Sequence, residues 1–80
     1  MSRIGDLRSR KFLGGLLRQY RERAGKKQEE LAELLGVPQS FVSKCESGER
    51  RVDLSELRAI CAALNVPLSR VVRDFEEGTA

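Results

Sequence analysis

Eighty residues with 40% hydrophobic side chains, four aromatics and no Trp are enough for one domain, whose small core has to be Leu-rich and helical. With no His and no CxxC pair there is no recognisable metal, cofactor or catalytic cluster, and no apolar run approaches the roughly 20 residues that cross a bilayer. The net charge of +3 argues only weakly for nucleic acid, but it is unevenly spread: residues 1 to 27 hold nine Lys or Arg against two acids, residues 28 to 80 six against ten.

In chain order, that asymmetry sets a positive field at the start of the chain, which either meets phosphates or is a solvated tail. Residues 1 to 8, with Arg3 and Arg8 and no periodicity, read as a flexible basic arm, laid along a groove of DNA or simply frayed. Residues 9 to 77 read as the folded domain and 78 to 80 as a loose C-terminus. Ser9 is an N-cap candidate for a first helix to about Ala24, in which Leu13, Leu16, Leu17, Tyr20 and Ala24 recur at helical spacing with Phe12 alongside. Gly14 and Gly15 weaken it by about 1 kcal/mol each relative to Ala. Arg21, four residues after Leu17, falls at the edge of the buried stripe, where a charge needs a partner.

Gly25, Lys26 and Lys27 turn the chain into a second helix, Gln28 to Leu35, with Leu31, Ala32, Leu34 and Leu35 as its buried face. Glu29 and Glu30 suit the positive end of its dipole. Lys27 cannot accept a bond from the helix amides, so a cap of roughly 1 kcal/mol is missing, and Glu30 offsets part of that by reaching back to the cap amide. Gly36, free to take positive φ, then Val37 and Pro38 break the chain sharply and preset a third helix. At about 100° per residue, Gln39, Ser40, Ser43 and Lys44 share one side of that helix, Phe41, Val42 and Cys45 the other, and Glu46 lies at the border. The polar side is short and hydrogen-bonding throughout, whereas a merely solvated face more often mixes Glu, Lys and Arg. Gln can bond adenine through two atoms and Lys can reach guanine acceptors or phosphate, so this surface suits base edges, with an ordinary amphipathic helix as the alternative.

After Gly48, the loop Glu49 to Val52 carries Arg50 and Arg51, either phosphate contacts or solvated side chains. Asp53 and Glu56 form a capping box for a fourth helix whose stripe is Leu54, Leu57, Ile60, Cys61 and Leu64, closed by Asn65 and punctuated by Val66-Pro67. A fifth helix, from Pro67 or Leu68 to Glu76, shows Leu68, Val71, Val72 and Phe75. That stripe either closes the core or pairs with a second copy of the chain, and Val71, Val72 and Phe75 are the candidate dimer interface. Cys45 and Cys61 lie on apolar faces as small core residues. With nothing resembling a signal peptide, free thiols in a cytoplasmic protein are expected, with a disulfide between the two as the alternative.

Taken together, Leu13-Gly14, Leu17-Arg18, Arg21, Gln28, Leu31-Ala32, Gly36, Val42-Ser43-Lys44, Glu46-Ser47-Gly48 and Glu49-Arg50-Arg51 before Asp53 resemble the Cro and lambda-repressor-like, or XRE-like, helix-turn-helix regulators. The resemblance covers roughly Leu13 to Phe75 and rests on order and spacing. It implies an all-α, compact five-helix DNA-binding domain with the helix-turn-helix at helices 2 and 3. It also implies that Arg21 pairs with Glu46, that Gly14 lets another helix come close, and that Gln28 bonds a phosphate. Gln39, Ser40, Ser43 and Lys44 would then face bases, with Ser47, Arg50 and Arg51 toward flanking phosphates. The chain departs from the family at Lys26 and Lys27, where an apolar residue and Ser or Thr are usual, and at Pro38, where Ser or Thr is common. The lysines, Lys27 in particular, become phosphate candidates.

The leading functional reading is thus a sequence-specific regulator of transcription, a repressor acting as a homodimer on two-fold double-stranded DNA, with no cofactor and no catalysis. The second is an antitoxin-like or adaptor module whose main partner is another protein, met through Phe41 and the terminal helix.

Overall fold

Apolar side chains recurring every three to four residues, interrupted by Gly, Asn and Pro, give five helices in the computed structural model, which describes residues 7–79. They are α1 Leu7–Arg23, α2 Gln28–Leu35, α3 Gln39–Ser47, α4 Leu54–Ala63 and α5 Leu68–Thr79. No strand occurs among the described residues, and none of these helices is long and apolar enough to cross a membrane.

The stops are local chemistry. Gly36 takes φ 69°, a left-handed conformation costly for a residue with a Cβ, so the amides of Gly36 and Val37 turn back onto the carbonyls of Glu33 and Ala32. Asn65 does the same after α4 at φ 57°, with Val66 donating to Cys61 and Asn65 to Ala62. The starts also follow the sequence. The Asp53 carboxylate accepts from the Glu56 amide and the Glu56 carboxylate from the Asp53 amide, and Glu30 accepts from the Lys27 amide, which replaces part of the missing cap.

Packing α1 on α3 and α5, and α2 on α3 and α4, encloses Leu17, Tyr20, Leu31, Ala32, Val42, Leu57, Ile60, Cys61, Leu64 and Val71. Gly14 marks a close crossing of α1 and α3. A Cβ there would stand 2.6 Å from the Cys45 carbonyl oxygen and closer still to that of Glu46, whereas one at Gly15 would meet nothing. So the α1 and α3 backbones nearly touch, and only a residue without a side chain permits it. Cys45 and Cys61 are buried free thiols, both pushed up in pKa by desolvation.

Several expectations are corrected here. The first helix begins at Leu7, two residues before the Ser9 cap, so the helix takes in Leu7 and Arg8 of the expected arm; residues 1 to 6 lie outside those described. Leu34 is 59% exposed, because Leu31, Ala32 and Leu35 centre the stripe of α2 and Leu34 falls about 110° from that centre. Leu54 is 67% exposed in the opening turn of α4, on the edge of its stripe. Val71, placed at a dimer interface by the sequence, is 1% exposed and belongs to the monomer core, where burying such a side chain stabilises by about 1.5 to 3 kcal/mol. The last helix also continues through Gly78 and Thr79, with Gly78 against the Phe12 ring, rather than loosening after Glu77; Ala80 is outside the described residues.

Candidate nucleic-acid interface

Because Val42 and Cys45 are buried against the core, the opposite side of α3 is held outward, and Gln39, Ser40, Ser43 and Lys44 are all exposed on it. This is the division the 3.6-residue period imposes. Pro38 caps the helix with extended backbone and no side-chain bond, while its carbonyl accepts from the Phe41 amide at 3.0 Å.

Behind this face lies an ion pair. The Glu46 carboxylate accepts from Arg21 Nε at 2.6 Å and Nη2 at 3.0 Å, and Arg21 Nη1 donates to the Lys26 carbonyl at 2.7 Å. With side chains 10% and 5% exposed, the pair is largely out of water, and the hydrogen bonds to Glu46 raise the Arg21 pKa despite burial. It ties α1 and the α1–α2 turn to the end of α3. Glu46 Oε1 also accepts from Gln28 Nε2 at 3.0 Å, and Gln28 Oε1 accepts from Gln39 Nε2 at 3.4 Å. A polar chain therefore runs from buried Arg21 through Glu46 and Gln28 to exposed Gln39. The Arg21–Glu46 pairing is as the resemblance implied; the link through Gln28 was missed, although two Gln at successive helix starts are a signal for it.

The other expected phosphate groups are unlike one another. Lys27 is exposed at the N-terminus of α2. Ser47 is exposed, with its hydroxyl donating to the Lys44 carbonyl and accepting from the Glu49 amide, which closes the C-terminus of α3. Arg51 is exposed, and its guanidinium has no ion pair among the described residues. Arg50, expected at a phosphate, is engaged within the protein. Its Nη1 and Nη2 bind the two Glu56 oxygens at 2.9 Å each, Nη1 also donates to the Arg51 carbonyl, and the guanidinium lies 4.3 Å from the Phe41 ring centroid. Glu56 is drawn below the usual carboxylate range first by Arg50 and then by the Asp53 amide. Sequence reasoning saw Glu56 only as a cap. At the other end of the expected site, Val72 is 41% exposed and Phe75 half-buried with its ring 6.0 Å from that of Phe12.

Tyr20 was read simply as a core residue. Its hydroxyl donates to Asp74 and joins α1 to α5, and burial followed by that bond pushes its pKa up to about 12. Among the described residues, no group of three His, Cys, Asp or Glu is placed to hold a metal ion.

A family model described as a helix-turn-helix domain matches residues 13–74. Among solved structures, the chain is similar to the clp gene regulator ClgR from C. glutamicum, at 30% identity and a TM-score of 0.83 over 90% of this chain and 94% of that one. An XRE-family like protein from Pseudomonas syringae pv. tomato is 39% identical with a TM-score of 0.80 over 90% and 88%. The restriction-modification controller protein C.AhdI from Aeromonas hydrophila is 34% identical, TM-score 0.70, over 74% and 89%. No curated protein matches the sequence significantly.

Proposed function

We propose a function from one premise: the chain belongs to the XRE-like family of helix-turn-helix regulators, with α2 and α3 as its helix-turn-helix. It is a DNA-binding regulator of transcription, and neither its family nor its fold is that of an enzyme. In this reading α3 enters the major groove and α2 crosses the backbone. Gln39, Ser40, Ser43 and Lys44 face the base edges. Lys27, Gln28, Ser47 and Arg51 lie toward phosphates, Gln28 through the hydrogen of its amide not given to Glu46, while Arg50 braces the α3–α4 loop from within.

The observation that carries this reading is the exposed, hydrogen-bonding face of α3 backed by the Arg21–Glu46 pair. Side chains that read bases have to be held by a rigid support, since a small misplacement breaks two-point hydrogen bonds. One such face spans only a few base pairs, so the protein acts as a homodimer on a two-fold site in the cytoplasm, as a repressor where that site overlaps a promoter. Val72 and the outer edge of Phe75 border an apolar groove of about 160 Å³ with Leu13 and Leu57, and this groove supports the self-association. The adaptor reading draws less support, because the Phe41 ring it needs is covered by Arg50. Selection of bound duplexes from a random library tests the proposal: an enriched two-fold sequence is expected, and recovery of no preferred sequence would refute it.

A further inference from the structure

Resting on the DNA-binding reading, we propose that Arg10 on α1, together with Arg51, forms a second phosphate clamp beside the C-terminus of α3, taking the place left by the internally engaged Arg50. Arg10 was not among the residues the sequence singled out. It sits one turn into α1, where that helix abuts the loop after α3: its neighbour Lys11 packs so closely on Gly48 that a Cβ at Gly48 would lie 2.8 Å from Lys11 Cγ. Arg10 and Arg51 both line the open hollow formed by Glu49 to Asp53 and Glu56. This hollow adjoins the end of the base-facing helix, so a duplex seated on α3 carries its sugar-phosphate backbone past it.

The state of the Arg10 side chain points to a ligand. Among the described residues its Nε is buried and makes no hydrogen bond, and its Nη1 reaches the Glu49 carbonyl at 3.4 Å. A guanidinium presents five donors in a planar fork matched to a phosphate or carboxylate, and burying one of them unpaired is costly. The other basic group of the hollow, Arg50, is already neutralised by Glu56. The acids there are likewise occupied or distant in role: Glu56 holds Arg50, Asp53 caps α4, and Glu49 offers Arg10 its carbonyl and no carboxylate bond. Arg10 and Arg51 thus stand in one concavity with no ion pair among the described residues, and an anion bridging them bonds guanidinium donors other than the enclosed Nε. A backbone phosphate is the occupant, because the loop lining the hollow begins at Glu49, two residues past the end of α3.

A phosphate contact is independent of sequence, so a random-sequence duplex suffices as the probe. Fluorescence anisotropy titrations at several salt concentrations would compare the parent with Arg10→Gln, Arg10→Lys and Arg51→Gln, and with Arg18→Gln, whose side chain is paired to Glu22 on the other half of α1. The slope of log affinity against log salt is expected to fall by about 0.9 for each of Arg10→Gln and Arg51→Gln, with Arg10→Lys retaining most of it and Arg18→Gln unchanged. Glu49→Gln, which removes a negative charge from the rim, is expected to raise affinity. A parent-like slope for Arg10→Gln, or equal losses for the Gln and Lys variants accompanied by a lowered melting temperature, would overturn the clamp while leaving DNA binding intact. A parent that binds no duplex even at low salt would overturn the DNA-binding reading and the clamp with it.

Discussion

Replacing Glu46 with Ala isolates the contact that holds the base-facing helix. The substitution removes the acceptor of three hydrogen bonds at once, two from Arg21 and one from Gln28, and leaves a guanidinium on a side chain 10% exposed with only the Lys26 carbonyl. Breaking a buried pair on one side costs about 3 to 5 kcal/mol, and the small remaining exposure of Arg21 puts this site near the lower end. At roughly 0.05 to 0.15 kcal/mol per residue, an 80-residue domain has about 4 to 12 kcal/mol in total, so the variant keeps little margin. For a domain of this size 1 kcal/mol moves Tm by about 4 to 8 °C, and a drop of roughly 12 °C or more is expected in thermal melting followed by circular dichroism. The double variant Arg21→Met with Glu46→Leu removes both charges and should recover much of the loss. An Ala variant melting within about 2 °C of the parent would refute the reasoning, since a largely dry carboxylate with three donors cannot be removed so cheaply.

Two adjacent glycines should respond oppositely: Gly14→Ala forces apart the α1 and α3 backbones and is strongly destabilising, whereas Gly15→Ala, with open space around it, gains about 0.5 to 1 kcal/mol from helix propensity; denaturant melts that rank them otherwise would discount the close crossing. Tyr20 is the single Tyr in a chain without Trp, so tyrosinate absorbance reports on it alone. Its folded pKa is raised from about 10 to about 12, so the stability it contributes is fully present below about pH 10 and is lost as pH rises through about 12; an absorbance titration of the folded protein with a midpoint near 10 would remove the buried link to Asp74. Phe75→Glu disturbs the Phe12 contact as well as any interface, so Val72→Glu is the better probe of self-association: a folded monomer that binds a two-fold site far more weakly is expected, and an unchanged dimer by sedimentation would exclude this face.

The sequence was legible where local rules decide the outcome. Gly36 with Pro38 marks the helix-turn-helix break because few other residues take the left-handed φ of Gly36 and the Pro38 ring fixes its own φ, and Asp53 with Glu56 marks the start of α4 because the two groups satisfy each other within four residues. The two faces of α3 follow from periodicity alone. Reading failed where the third dimension decides. Nothing local separates Val71 from Val72, one in the core and one exposed, since both lie on the same stripe and only the placement of α1 and α4 distinguishes them. Arg50 looked like a loop cation because its partner Glu56 already had a role as a cap, and a carboxylate with two oxygens fills both. Arg21 needed a partner on positional grounds, but its identity came from resemblance to a family, across 25 residues of chain.

The central claim, that the exposed face of α3 reads bases, is tested most directly by titrating the parent, Gln39→Ala and Lys44→Ala against the duplex selected from a random library and against a random duplex of equal length. Each Ala variant is expected to lose about 1 to 3 kcal/mol on the selected duplex and little on the random one, so that specificity falls while background binding persists. Equal losses on both duplexes, or none on either, would contradict the account.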